Sequence, residues 1–284
     1  MNKIANSFPM ATTDVSSLPY NKDNVLIDDQ EVLSLLSIGH INELNNINIY
    51  RRAFVHKSYC TRKNENYIVG NVKCPTECMP LQEDSNERLE FLGDSILNLV
   101  VASYLFERYQ QVNEGFLTTM RTKLVNGIML AHLSEQLGLG KHIIMSHQIE
   151  NNNGRKNKNI LEDTFEAFIG AIFLDFNDII AGRSGFDVAK QWVIAVIEEH
   201  VDFMELMKTN INYKDKLVKL CQHQYQYIPK FYELNVNETN GIKEHTVCIR
   251  DNHNEIISIG KGPTKKLADI DASKNGLTYY GVDL

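Results

Sequence analysis

An excess of positive charge, a cysteine framework and an unbroken apolar stretch of membrane length are all missing from this chain. Lysine and arginine total 29 against 36 aspartate and glutamate, a net charge of −7. Nothing in that balance announces a polyanion binder, so any grip on nucleic acid must come from local basic patches or from metal ions linking acid to phosphate. The five cysteines, Cys60, Cys74, Cys78, Cys221 and Cys248, are odd in number and irregular in spacing. That excludes a disulfide framework and points to a reduced, intracellular setting, the cytoplasm by default. No N-terminal stretch joins a basic start to an apolar run, and no run approaches the ~18 apolar residues of a membrane span, so no membrane partner is expected.

What is present is a long core-forming region followed by a change of period. With 284 residues and 43% hydrophobic composition, the chain can bury one sizeable core and a smaller second one. From Asn212 onward 10 Lys and Arg face 9 Asp and Glu, a net of +1, leaving −8 for the rest. The stretch NERLEFLGDSIL, Asn86 to Leu97, carries Glu87, Glu90 and Asp94 at spacings of three and four, which puts them on one face of a helix. Leu89, Phe91, Leu92, Ile96 and Leu97 lie between them, so a mostly buried helix carries one acidic strip. A second pair, Asp163 and Glu166, sits in the apolar run NILEDTFEAFIGAIFLDF. If the two helices pack together, Glu90, Asp94, Asp163 and Glu166 form one cluster that cannot stay ionised unaided. Hard divalent cations resolve that conflict, and Mg²⁺ is the usual choice beside a phosphate.

These motifs carry a resemblance. NERLEFLGDSIL closely resembles the signature of the ribonuclease III family, and LEDTFEAFIGAIFLD resembles the second block of that family's endonuclease domain. YRRAFVHKSY is similar to its first block, with His56 and Ser58; the residues themselves suggest a supporting role at a helix end. The resemblance implies an all-α N-terminal endonuclease domain followed by a small α+β (α-β-β-β-α) double-stranded-RNA-binding domain. It implies that Glu90, Asp94, Asp163 and Glu166 hold Mg²⁺, with Mn²⁺ as a substitute. It sets Glu87 and Glu114 along a valley between subunits of a homodimer, and matches Phe91 to a ring that enters the partner's socket; ordinary core packing is the alternative for Phe91.

In chain order, residues 1–26 lack periodicity and read as a flexible tail. Residues 27–208 form the endonuclease domain, with a polar insertion over 60–85, 209–212 a linker and 213–284 the second domain. Helices are expected over Ile47–Tyr59, from the signature to near Val112, from near Gly115 through Gly138, and from Phe186 to Met207 without a break. The insertion contains CPTEC, in which Cys74 and Cys78 supply at most half of a structural zinc site. Arg155, Lys156 and Lys158 precede the second acidic helix, and Lys158 is the candidate among them for stabilising phosphate charge.

The second domain reads as helix, three alternating strands and helix. GKGPTKKLADIDASKNGL resembles the end of a double-stranded-RNA-binding domain, Pro263 fits the first helical turn, and Lys265 and Lys266 stand where charge and free N–H groups attract phosphate. Lys261 and Lys214 are further candidate RNA contacts. Asp269 and Asp271 stand where the family has a basic residue and an Ala, and Val218 and Lys219 where a Gln and a Glu often stand. The expected activity is a Mg²⁺-dependent endoribonuclease for double-stranded RNA, leaving 5′-phosphate and 3′-hydroxyl ends with a short 3′ overhang. The alternative is a non-catalytic RNA-binding scaffold of the same fold. A di-iron carboxylate bundle would need Glu-x-x-His pairs, and neither acidic helix has one.

Overall fold

A computed structural model of the chain describes residues 19–61, 74–178, 182–208, 213–239 and 242–282. Most of the expected tail (1–18) and part of the expected insertion (62–73) lie outside the described residues, as does the expected linker, 209–212. The chain divides into two compact units, Met1–Leu206 and Met207–Leu284.

The described part of the first unit is helical: α1 (Asp29–Ser37), α2 (Ile47–Ala53), α3 (Glu87–Arg108), α4 (Glu114–Leu124), α5 (Gly127–Gln136), α6 (His147–Asn151), α7 (Lys158–Phe176) and α8 (Gly185–His200), with α9 (Phe203–Lys208) running across the division. α3 and α7 form its most extensive helix pair. Length and composition alone would let α3 cross a membrane, but Leu89, Ile96, Leu97, Val100, Val101 and Leu105 are buried in the protein core. The two helices touch through glycine. A Cβ on Gly93 would lie 1.7 Å from the carbonyl oxygen of Glu166, and one on Gly170 would lie 2.3 Å from that of Leu89. Any side chain at either position would wedge the helices apart.

Several boundaries differ from the pattern-based expectation, each for a local reason. The helix from Ile47 stops at Ala53, and after an extended His56 a single 3₁₀ turn covers Lys57–Tyr59. The run expected from Gly115 to Gly138 breaks at Asn126, whose side chain accepts from Met129 N–H at 3.0 Å and starts α5 anew, and it ends at Gln136. The break rotates Ile128 out to 70% exposure. The closing helix breaks at Asp202, whose Oδ1 accepts from Met204 N–H at 2.8 Å. In both cases a side-chain cap satisfies N–H groups that a continuous helix would have bonded. The supposed tail is fixed from residue 19: Asn21 is buried and, like Asn24, donates to the Met145 carbonyl. Arg155 is part of this staple, donating to the carbonyls of Gly140, Ile143 and Asp23 and pairing with Glu150 at 2.7 Å.

The second unit contains α10 (Tyr213–Gln224), an antiparallel sheet in the order β1-β2-β3 (Lys230–Thr239, Ile242–Arg250, Ile256–Gly262) and α11 (Lys265–Tyr279). Leu217, Cys221, Val247, Ile249, Ile257, Ala268, Ala272 and Leu277 fill its core. α11 begins after Thr264, which caps it by accepting from Leu267 N–H at 3.3 Å, so Pro263 precedes the cap instead of occupying the first turn.

Candidate active site

The glycine contact between α3 and α7 sets the acidic strips against each other. Glu90 and Asp94 flank Gly93 on α3, while Glu166 stands one turn before Gly170 on α7. Glu166 is 8% exposed. Its burial, together with the charges of Asp94, Glu162, Glu90 and Asp163, pushes its pKa up to about 8. Glu90 is also raised, by burial and then by Asp163 and Glu87. Asp163 is raised by burial, with Lys57 opposing. Asp94 is exposed and accepts from Asn98 Nδ2 at 2.7 Å. The expected Glu90, Asp94, Asp163 and Glu166 therefore share one electrostatic environment, and for Glu90, Asp163 and Glu166 burial beside neighbouring acid disfavours the charged form.

Two members were not anticipated. Glu162 acts on Glu166 more strongly than Glu90 or Asp163 does, and its own pKa is raised by burial and by Asp163 and Asp94. Its carboxylate packs against Gly127, where a Cβ would lie 2.2 Å from Oε2. Glu162 stands next to Asp163 in LEDTFEA, and the spacing gave no sign of it because adjacent helical residues ordinarily point apart. Lys57 is the second: its Nζ lies 3.1 Å from Glu87 Oε1, and its charge lowers the pKa of Glu87, Glu90 and Asp163. The sequence offers no comparable sign, because the residue is 30 positions from Glu87 and on another element.

The remaining candidates are dispersed. Lys158 is exposed on the first turn of α7. Glu114 is exposed at the start of α4, where Oε1 accepts from Thr118 Oγ1 at 2.6 Å. Phe91 is 78% exposed, so it is not core packing. His56 Nδ1 lies 2.8 Å from Ser58 Oγ, which accepts from Ser146 N–H at 3.0 Å; these residues brace the 3₁₀ turn.

The donor set consists of hard carboxylate oxygens, and it suits a hard divalent cation such as Mg²⁺ or Mn²⁺. Among the described residues no three His, Cys, Asp or Glu side chains stand arranged around an ion position. The same holds at Cys74 and Cys78, where Cys74 Sγ donates to the Cys78 carbonyl at 3.3 Å.

In the second unit two of the four proposed RNA-binding lysines are engaged within the domain. Lys214 pairs with Asp269 at 2.7 Å and lies 4.1 Å from the centre of the Phe231 ring. Lys261 pairs with Glu244 at 3.0 Å, and its N–H donates to Asp271 at 3.0 Å. Asp269 and Asp271 thus hold the domain's own basic residue and backbone. Lys265 and Lys266 are exposed at the start of α11.

The fold and the acid cluster define a class: a helical domain organised around carboxylates gathered at one helix crossing, followed by a small α-β-β-β-α domain. Residues 46–200 match the Ribonuclease-III-like family and residues 213–280 the double-stranded RNA binding motif. The chain belongs to the ribonuclease III family. It is 36% identical over 193 residues to Ribonuclease 3 of Nitratiruptor sp., covering 68% of this chain and 81% of that one. It is 32% identical to Ribonuclease 3 of Borreliella afzelii, covering 87% and 89% of the two chains. The Probable ribonuclease 3 of Acanthamoeba polyphaga mimivirus is 31% identical over 92% of this chain, which spans 47% of that longer relative. Among solved structures, the nuclease domain of Ribonuclease III from Campylobacter jejuni matches at 34% identity and a TM-score of 0.47, covering 61% of this chain and 97% of that one.

Proposed function

We propose that this protein is a double-stranded-RNA-specific endoribonuclease, dependent on Mg²⁺ with Mn²⁺ as a substitute. It acts as a homodimer and leaves 5′-phosphate and 3′-hydroxyl ends with a short 3′ overhang. The observation that carries the reading is the meeting of acids from α3 and α7 around the buried Glu166, in a chain of the ribonuclease III family.

Glu90, Asp94, Asp163 and Glu166 are the residues that would hold the ion. When bound, it supplies the positive charge that makes water nucleophilic and stabilises the departing 3′-oxygen. Burial among acids raises the Glu166 pKa to about 8, and a bound cation would lower it again. The glycine crossing of the two helices holds the carboxylates at fixed depth, which orients the reacting water relative to the strand. Lys265 and Lys266 approach phosphates at a helix N-terminus, a mode of recognition that reads duplex shape with little base preference. Phe91, Leu99 and Phe106 are 78%, 58% and 71% exposed along α3. At 100° per residue they fall within about 80° of one another, an apolar stripe that suits a second copy of this helix.

Incubating the protein with a uniform RNA duplex in Mg²⁺, with and without EDTA, and sizing the fragments tests the reading. Short duplex products are expected only where Mg²⁺ is free, and not from Glu166→Gln. Equal absence of cleavage by the wild type and this variant would show a non-catalytic RNA-binding member of the fold.

A further inference from the structure

The 3₁₀ turn that carries Lys57 is fixed on every side except at that side chain. His56 N–H donates to the Ile144 carbonyl at 2.9 Å, Ser58 Oγ accepts from Ser146 N–H, and the buried Tyr59 donates its hydroxyl to the Met79 carbonyl at 2.7 Å. Asn86 N–H, immediately before α3, donates to the Val55 carbonyl at 2.8 Å. The turn is therefore locked to the start of α3, and the Lys57 side chain remains 59% exposed. Its ammonium sits beside Glu87, whose other carboxylate oxygen accepts from Ser85 Oγ at 3.0 Å. From there its charge reaches acids on both helices, Glu90 on α3 and Asp163 on α7. A cation on a rigid mount, accessible to solvent at the rim of an acid cluster, is suited to receive an anion that enters the site.

We propose that Lys57 is a positioning residue for the RNA strand, its ammonium leaving Glu87 to bond a backbone phosphate next to the one being cut. This rests on the duplex-RNA nuclease reading and adds a specific anchor to it. Glu87 then serves as a holder that keeps the lysine extended over the cluster when no RNA is bound. An exposed lysine–glutamate pair contributes little to stability, so removing the charge should leave the fold intact.

The test compares wild type, Lys57→Met and Lys57→Arg for duplex binding in Ca²⁺ across a range of salt, and for single-turnover cleavage in Mg²⁺. For Lys57→Met we expect the slope of log affinity against log salt to become shallower by about one, affinity at low salt to fall roughly tenfold, and thermal unfolding to be unchanged. Lys57→Arg should restore the slope. If Lys57→Met keeps the wild-type slope and affinity while the wild type cuts RNA, the lysine anchors Glu87 only and the proposal is overturned alone. If the wild type neither binds nor cuts duplex RNA, the nuclease reading and this inference fall together.

Discussion

Glu166→Gln should make the metal-free protein more stable at alkaline pH even as it removes activity. In the folded chain the Glu166 pKa is raised from 4.5 to about 8 by burial and by Asp94, Glu162, Glu90 and Asp163. A carboxyl with a raised folded pKa binds more protons folded than unfolded, so its contribution falls as pH rises from the unfolded value, 4.5, through the folded one, about 8. Linkage sets the cost of the buried charge at roughly 3 kcal/mol by pH 7 and under about 1 kcal/mol at pH 5. Glutamine keeps the shape but cannot ionise. In EDTA, unfolding of the first unit can be followed by fluorescence of Trp192, the single tryptophan, which is fully buried in that unit's core. The variant should melt roughly 6–12 °C above wild type near pH 7, with the gap widening towards pH 8 and closing towards pH 5. Adding Mg²⁺ at pH 8 should raise the wild type's melting temperature more than the variant's. A variant that is no more stable than wild type at pH 8, or a gap that does not change with pH, would refute the claim that Glu166 is buried among like charges.

Gly93→Ala should destabilise the first unit by about 3 kcal/mol or more, seen as a lower Trp192 melting temperature, because its Cβ would lie 1.7 Å from the Glu166 carbonyl oxygen. An unchanged melting temperature would mean that α3 and α7 do not cross there. Lys265→Ala with Lys266→Ala should reduce the salt slope of duplex binding by roughly two, whereas Lys214→Ala should lower the stability of the second unit by ~1 kcal/mol or more, since it strands the buried side of Asp269. Fluorescence anisotropy and chemical denaturation separate these effects. Phe91→Asp should shift the protein from dimer to monomer in light scattering; persistence of the dimer would place the partner elsewhere.

The acidic helices were legible because their spacing and apolar surroundings are local properties, and the three-strand domain was legible from its change of period. The glycines that let those helices meet were equally visible, but their meaning depends on which helices cross. Asn126 and Asp202 interrupt runs whose apolar pattern continues across them; the interruption lies in a side-chain cap, which hydrophobic periodicity does not register. Lys57 and the engaged state of Lys214 and Lys261 arise from tertiary neighbours far away in sequence, so no spacing rule reaches them. Glu162 was hidden by its position beside a recognised acid, since adjacent helical residues ordinarily point apart.

The central claim, that acids from α3 and α7 hold a divalent ion where RNA is cut, is tested most directly by locating Mn²⁺ through its anomalous scattering in crystals soaked with the ion. The account predicts a peak ligated by oxygens of Glu90, Asp94, Asp163 and Glu166, lost in Glu166→Gln. A protein that cuts duplex RNA in Mn²⁺ yet shows its ion bound away from these four side chains would contradict it.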